Sequence, residues 1–151
     1  MSSSFRDLRV WQEAIRFTVE VYGTTARFPK HELYGLGQQL RRAAVSVPSN
    51  IAEGKGHRSD REFINFLPHA RGSLLEAQTQ IMIAQDLQYI SAQEAGHLIA
   101  SSDSLGRGLN SLIGSMRESP RSNDGRRPTT NDKRLTTALK ERLQQFRAAS
   151  C

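Results

Sequence analysis

Apolar residues recur at three- and four-residue spacings in four blocks of the chain, and no block shows the two-residue alternation of a strand. The first block predicts a helix from about Leu8 to Thr25. Leu8, Trp11, Ile15, Val19 and Tyr22 are expected to face the core, with Val10, Ala14, Phe17 and Val21 as a second apolar row. That width fits either a helix that also packs on another chain or a short bundle burying broad stripes. Phe28-Pro29 closes the first connection, since the residue before proline avoids the helical region. A second helix is expected over roughly Glu32 to Ala52, built on Leu40, Ala43, Ala44, Val47 and Ile51. Pro48 lies within it, so a kink is expected near Ala44 to Val47, with Ser46 or Ser49 serving the carbonyl that loses its donor. Gly54-Lys55-Gly56 reads as a glycine stop with a left-handed cap.

Ser59-Asp60-Arg61-Glu62 has the spacing of a capping box, the Ser59 hydroxyl on the Glu62 amide and the Glu62 carboxylate on the Ser59 amide. It opens a third helix with a stripe of Phe63, Phe66, Leu67, Ala70, Leu74, Ala77, Ile81 and Ala84, which continues past Pro68, a second kink position. Ser91-Ala92-Gln93-Glu94 is another such box. The helix it starts runs to about Met116 with Leu98, Ile99, Leu105, Leu109, Leu112 and Met116 inward. Gly106, Gly108 and Gly114 in that helix imply either close backbone approach or a fraying end. Four helices with short links predict an all-α, antiparallel up-down four-helix bundle over residues 1–116. Residues 117–133 have the Ser, Pro, Asn, Gly and Arg content of a flexible linker. Residues 134–151 predict a short basic amphipathic tail helix with Leu135, Leu139, Leu143 and Phe146 on one face. It could dock on a partner, fold back on the bundle or stay largely unfolded.

Charge changes this picture only by its location. The chain carries a net +6, but residues 1–116 hold 12 Lys and Arg against 11 Asp and Glu, whereas residues 117–151 hold 9 against 4. The basic surplus belongs to the tail, so the bundle is not a nucleic-acid binder by overall charge alone. No charged-then-apolar leader follows Met1, and no apolar run reaches the length of a membrane span, so a cytoplasmic protein is expected. The single cysteine, Cys151, excludes an intrachain disulfide and a cysteine metal cluster; it reads as an exposed free thiol.

Three constellations bear on chemistry. Ser46, Asn50 and Glu53 lie on one helix face, but no histidine is within helical reach to activate the serine. With Ser73 and Glu76 on the third helix they are read as a polar seam that fixes register, through Asn50–Ser73 or Arg42–Glu76 contacts. Ligand binding there is the alternative. The run Gly54 to Ser59 looks like a phosphate cradle leading into a helix N-terminus, or else a glycine-rich turn with solvated charges. It lacks P-loop spacing, yet Lys55, Arg58 and Arg61, with Arg41 and Arg42 on the preceding helix, are the densest basic set in the bundle and the candidate nucleic-acid contacts. His31, His57, His69 and His97 fall on different elements without zinc or di-iron spacing, so neither a metal nor another cofactor is expected. Trp11, Phe17, Tyr22, Phe63 and Phe66 are assigned to the core rather than to base stacking.

Several stretches in one order carry a resemblance: FRDLRVWQEA at Phe5 to Ala14, TTARFPKHELYGLGQQLRRA at Thr24 to Ala43, Ser46 to Gly54, and ARGSLLEAQTQ at Ala70 to Gln80. They resemble the four-helix-bundle family named after the 23S rRNA intervening sequence, which is similar to the accessory variability proteins of diversity-generating retroelements. The resemblance implies an up-down bundle, homopentamers, no catalysis, and a nucleic-acid or reverse-transcriptase connection in one branch. The tail from Arg117 and the glycines of the fourth helix depart from the pattern. The expectation is therefore a non-enzymatic oligomeric scaffold associated with RNA or DNA through phosphate contacts. Its alternative is an accessory protein-interaction subunit, for example of a reverse transcriptase in a retroelement.

Overall fold

A computed structural model describes residues 4–118, and they form four helices: α1 Arg9–Thr25, α2 Leu36–Gly56, α3 Asp60–Asp86 and α4 Ala92–Glu118. Single 3-10 turns, Phe5–Asp7 and Lys30–Glu32, precede α1 and α2. No strand occurs among the described residues. The expected tail helix over 134–151 with Cys151, and the linker over 117–133 beyond the end of α4, lie outside them.

Cross-helix contacts run antiparallel around the bundle. Thr18 of α1 meets Ala44 of α2, Ser46 of α2 meets Ser73 of α3, Gln78 of α3 meets Ser102 of α4, and Ser101 of α4 meets Glu20 of α1. This is the up-down four-helix bundle that the periodicity predicts. Phe17, Leu40, Ile51, Leu67, Leu74, Ile81, Leu98, Leu105 and Leu109 are fully buried at its centre.

The rotation of α1 differs from expectation. Val10, Ala14, Phe17 and Val21 form the buried row. Leu8 and Trp11 are half-buried at its edge, and Ile15, Val19 and Tyr22 are 36%, 65% and 48% exposed. The polar residues Arg9, Glu13, Arg16 and Glu20 lie opposite Thr18, midway between the two apolar rows, so amphipathicity alone does not choose between them. Thr18 reaches across to α2 from between the two rows.

That contact also answers the question posed by Pro48, which is buried inside an unbroken α2. A helical proline deprives the carbonyl four residues earlier of its donor. Here that carbonyl belongs to Ala44, and the Thr18 hydroxyl lies 3.0 Å from it and 2.8 Å from the Ala14 carbonyl of its own helix, so one proton is shared between two acceptors. The Ser49 hydroxyl serves Val45 instead, at 2.8 Å, so the polar group beside the Ala44 carbonyl comes from the neighbouring helix. α3 likewise runs uninterrupted through Pro68.

α2 begins and ends four residues later than expected. Glu32 ends the preceding 3-10 turn rather than opening the helix, whose cap is Gly35, and its carboxylate accepts from the first helical amide, Leu36, at 2.6 Å and from the Tyr89 hydroxyl at 3.1 Å. The glycines do not stop the helix. Gly56 is its last residue, the cap His57 is extended, and no glycine among the described residues has a positive φ. Gly54 is instead a point of close approach, where an added Cβ would lie 2.6 Å from Phe66 Cβ and 3.0 Å from a Phe63 ring carbon.

The Ser59 hydroxyl accepts from the Glu62 amide at 3.2 Å, but the Glu62 carboxylate meets that same hydroxyl at 3.0 Å rather than the Ser59 amide. At Ser91 the box is reciprocal, with both arms at 3.1 Å. The α3 stripe is buried except for Phe66, which is half-buried. The buried row of α4 is Ala95, Leu98, Ser102, Leu105, Leu109 and Ile113, while Ile99, Leu112 and Met116 are half-buried beside it. Of its glycines, Gly108 lets Val10 approach, a Cβ there falling 3.0 Å from Val10 Cγ1, and Gly114 has open space around it.

Two predictions follow from these contacts. Gly54→Ala should destabilise the protein by about 1 to 3 kcal/mol through overpacking, whereas Gly114→Ala should stabilise it by about 0.5 to 1 kcal/mol, both read from urea denaturation. The second concerns acid stability. The Leu36 amide, with the Tyr89 hydroxyl and His31, holds the Glu32 carboxyl below its ordinary value despite some desolvation. Desolvation, then the Glu32 hydrogen bond and charge, push the Tyr89 hydroxyl up. A carboxyl with a lowered folded-state pKa contributes stability that is present above its unfolded value and lost as pH falls through the folded one. Glu32→Gln should therefore lower the melting temperature at neutral pH and flatten its decline through the acid carboxylate range, measured by circular dichroism.

Candidate nucleic-acid interface

The five basic side chains singled out in the sequence fall into two groups. Lys55 lies fourteen residues beyond Arg41 on α2, about 21 Å along the axis at ~1.5 Å per residue. Arg41 and Arg42 are therefore near the α2 N-terminus, and Lys55, Arg58 and Arg61 are at the α2–α3 corner.

At the corner, Gly54 lets the first turns of α3 come in close, and this puts aromatic rings under the end of α2. The Lys55 ammonium lies 5.7 Å from the centre of the buried Phe63 ring. His57 stacks on Phe66 with centroids 4.9 Å apart and planes 23° from parallel, and its Nδ1 is 3.8 Å from the Glu62 carboxylate. Arg58 and Arg61 are exposed and have no ion pair among the described residues. Glu53, Asp60 and Glu62 occupy the same corner, so its formal charge is balanced. The glycines do not form a loop around an anion. Gly54, Lys55 and Gly56 belong to the last turn of α2, and at the α3 N-terminus the Ser59 hydroxyl takes the Glu62 amide with the Glu62 carboxylate beside it. Any anion held here would be held by side chains.

At the other end of α2 the Arg41 guanidinium lies 5.6 Å from the Tyr22 ring centre, while its Nε is buried with no hydrogen-bond partner. Arg42 is exposed. Together with Tyr22, Gln38, Val45 and Ser46 they line an open groove of about 400 Å³ that contains no acidic side chain.

The polar residues of α2 and α3 meet at one point. Ser46 Oγ and Ser73 Oγ are 2.9 Å apart, and Asn50 donates to the Ser46 carbonyl at 2.8 Å and to its hydroxyl at 3.0 Å. Among the described residues no hydrogen bond joins Asn50 to α3 directly; it bonds Ser46, which meets Ser73. Glu53 and Glu76 are exposed; Glu76 accepts from Gln80 at 3.3 Å, and no Arg42–Glu76 pair forms among the described residues. The sequence reading missed the α3–α4 counterpart, in which Gln78 donates to Ser102 at 2.6 Å and to Asp103 at 2.7 Å. Its signal was present: Ser102 interrupts an otherwise apolar row between Leu98 and Leu105.

Glu32, Tyr89 and His31 tie the two connections at one end of the bundle, and Arg27 pairs with Glu94, whose carboxyl is lowered by the Ser91 amide and then by Arg27. Among the described residues no three His, Cys, Asp or Glu side chains converge as metal ligands, and no helix is long and apolar enough to cross a membrane.

No curated protein sequence matches the chain. Its fold is similar to that of a crystal structure from Bacteroides thetaiotaomicron, described as a protein with unknown function from the S23 ribosomal protein family. The TM-score is 0.62 and the identity 21%, over 69% of this chain and 97% of that one. Residues 6–111 match the model of the 23S rRNA-intervening sequence proteins, and the chain belongs to that family.

Proposed function

We propose that this chain is a non-enzymatic, cytoplasmic four-helix-bundle scaffold that self-associates and holds RNA or DNA through phosphate contacts from Lys55, Arg58 and Arg61. The observation that carries this reading is the pair of exposed guanidiniums, Arg58 and Arg61, without a carboxylate partner among the described residues and next to the Lys55 ammonium. One corner with balanced charge binds weakly. Repeated in every copy of an assembly, a homopentamer by the family resemblance, it presents several cationic points to one polyanion, and avidity multiplies their effect. Such contacts position a nucleic acid without reading its bases.

A second reading, an accessory protein-interaction subunit such as that of a reverse transcriptase in a retroelement, is favoured by Leu33 and Tyr34, two large side chains exposed in the connection before α2. Fluorescence anisotropy separates the two. The full chain should bind a labelled structured RNA or duplex DNA with an affinity that falls steeply with salt. Arg58→Ala with Arg61→Ala should weaken binding to all sequences alike and reduce the salt slope by about 2 per engaged copy. Absence of salt-sensitive binding to either probe would turn the assignment to the protein partner.

A further inference from the structure

The α2–α3 corner also carries an aromatic surface that phosphate contacts leave unused. His57 is the extended cap of α2, and its imidazole lies flat on Phe66, with ring centres 4.9 Å apart and planes 23° from parallel. The ring beneath is itself held. Gly54 lets the Phe66 Cβ come close to the α2 backbone, and His69 meets the Phe66 ring edge-on with centroids 6.5 Å apart. The Glu62 carboxylate, 3.8 Å from His57 Nδ1, restrains the imidazole in turn. One face of that imidazole is covered by Phe66, yet the side chain is still 39% exposed, so its uncovered side is open to solvent. Arg58 follows it directly in the chain and Arg61 stands in the first turn of α3, both exposed and without an ion pair among the described residues. Cations beside an open, braced ring are the combination that single-stranded nucleic acid uses, with phosphates on the basic side chains and a base on the ring.

We propose that His57 is a stacking platform for an unpaired nucleobase whose flanking phosphates are held by Arg58 and Arg61, so that the corner takes single-stranded or looped nucleic acid rather than continuous duplex. This rests on the phosphate contacts of the proposed function and adds the class of nucleic acid they hold. Inside a duplex both faces of a base are covered by neighbouring pairs, whereas an unpaired base has a face to offer. Every base has such a face, so the platform selects for strandedness and not for sequence. Phe66 and Glu62 orient the imidazole before any ligand arrives, and little side-chain freedom is lost when a base settles on it. Phe63, by contrast, is buried and takes no part beyond carrying Lys55. The charge balance of the corner points the same way. Glu53, Asp60 and Glu62 offset its cations, which leaves a modest pull on phosphate, and stacking supplies affinity that does not depend on net charge.

The test uses the full chain as wild type, His57→Ala and His57→Trp, the substitutions lying at an exposed position and each variant checked for retained helicity. The probe is a dye-labelled oligothymidine with 2-aminopurine at alternate positions, used free and annealed to its complement as a blunt duplex. Anisotropy reads affinity, and 2-aminopurine emission reads stacking, which quenches it. Wild type should bind the single strand in a salt-sensitive manner and quench its emission. His57→Ala should abolish the quenching and weaken single-strand binding at least about five-fold, the low end for one base–aromatic stack, with duplex affinity and the salt slope unchanged. His57→Trp should restore both losses, and because tryptophan carries no charge that rescue separates stacking from an ionic role. Equal effects of His57→Ala on the two forms, or quenching that survives it, would overturn the platform and leave the phosphate reading standing. Absence of salt-sensitive binding to either form would overturn both.

Discussion

The close approach of α2 to α3 is the constraint on which the rest of this bundle depends. Small residues make it possible: Ala43 and Ala44 on α2 and Ala70 and Ala77 on α3 are buried, and Gly54 leaves room for Phe63 and Phe66 where any side chain would collide. The Ser46–Ser73 hydrogen bond joins the pair near its middle. With that pair set, the aromatic rings lie under the last turn of α2, and this determines where Lys55 and His57 rest and where the chain turns with Arg58 and Arg61 exposed. A packing requirement thus shapes the candidate interface more directly than charge does.

Element order and type were legible because four long segments keep a helical period, and serines with a glutamate three residues on mark the starts of α3 and α4. Rotation and boundaries were less so, for physical reasons that can be named. In α1 two apolar rows flank Thr18, and a periodicity argument has no means of knowing that α2 offers a vacant carbonyl opposite that residue. In α2 the glycines were read by their commonest use, the left-handed cap, when here the missing Cβ serves helix packing. Glu32 was taken as helical because its spacing suits the stripe, but its partner Tyr89 is 57 residues away and no local rule brings the two together.

The candidate site shows a similar division. Its residue types were legible, since basic side chains near a turn are visible in any sequence; their grouping was not. Residues close in the written pattern, Arg41, Arg42 and Lys55, sit at opposite ends of a helix, and the expected Arg42–Glu76 pair is replaced by serine contacts that need much shorter reach.

The contact from Thr18 to Ala44 couples two helices through a group that a proline leaves open. With α1 docked that carbonyl is enclosed against a hydroxyl, and with α1 absent it would face water instead, so enclosing the centre of α2 depends on a polar side chain of another helix. Removal of the amino-terminal helix would therefore be felt at Ala44, in the middle of α2 and far from the cut.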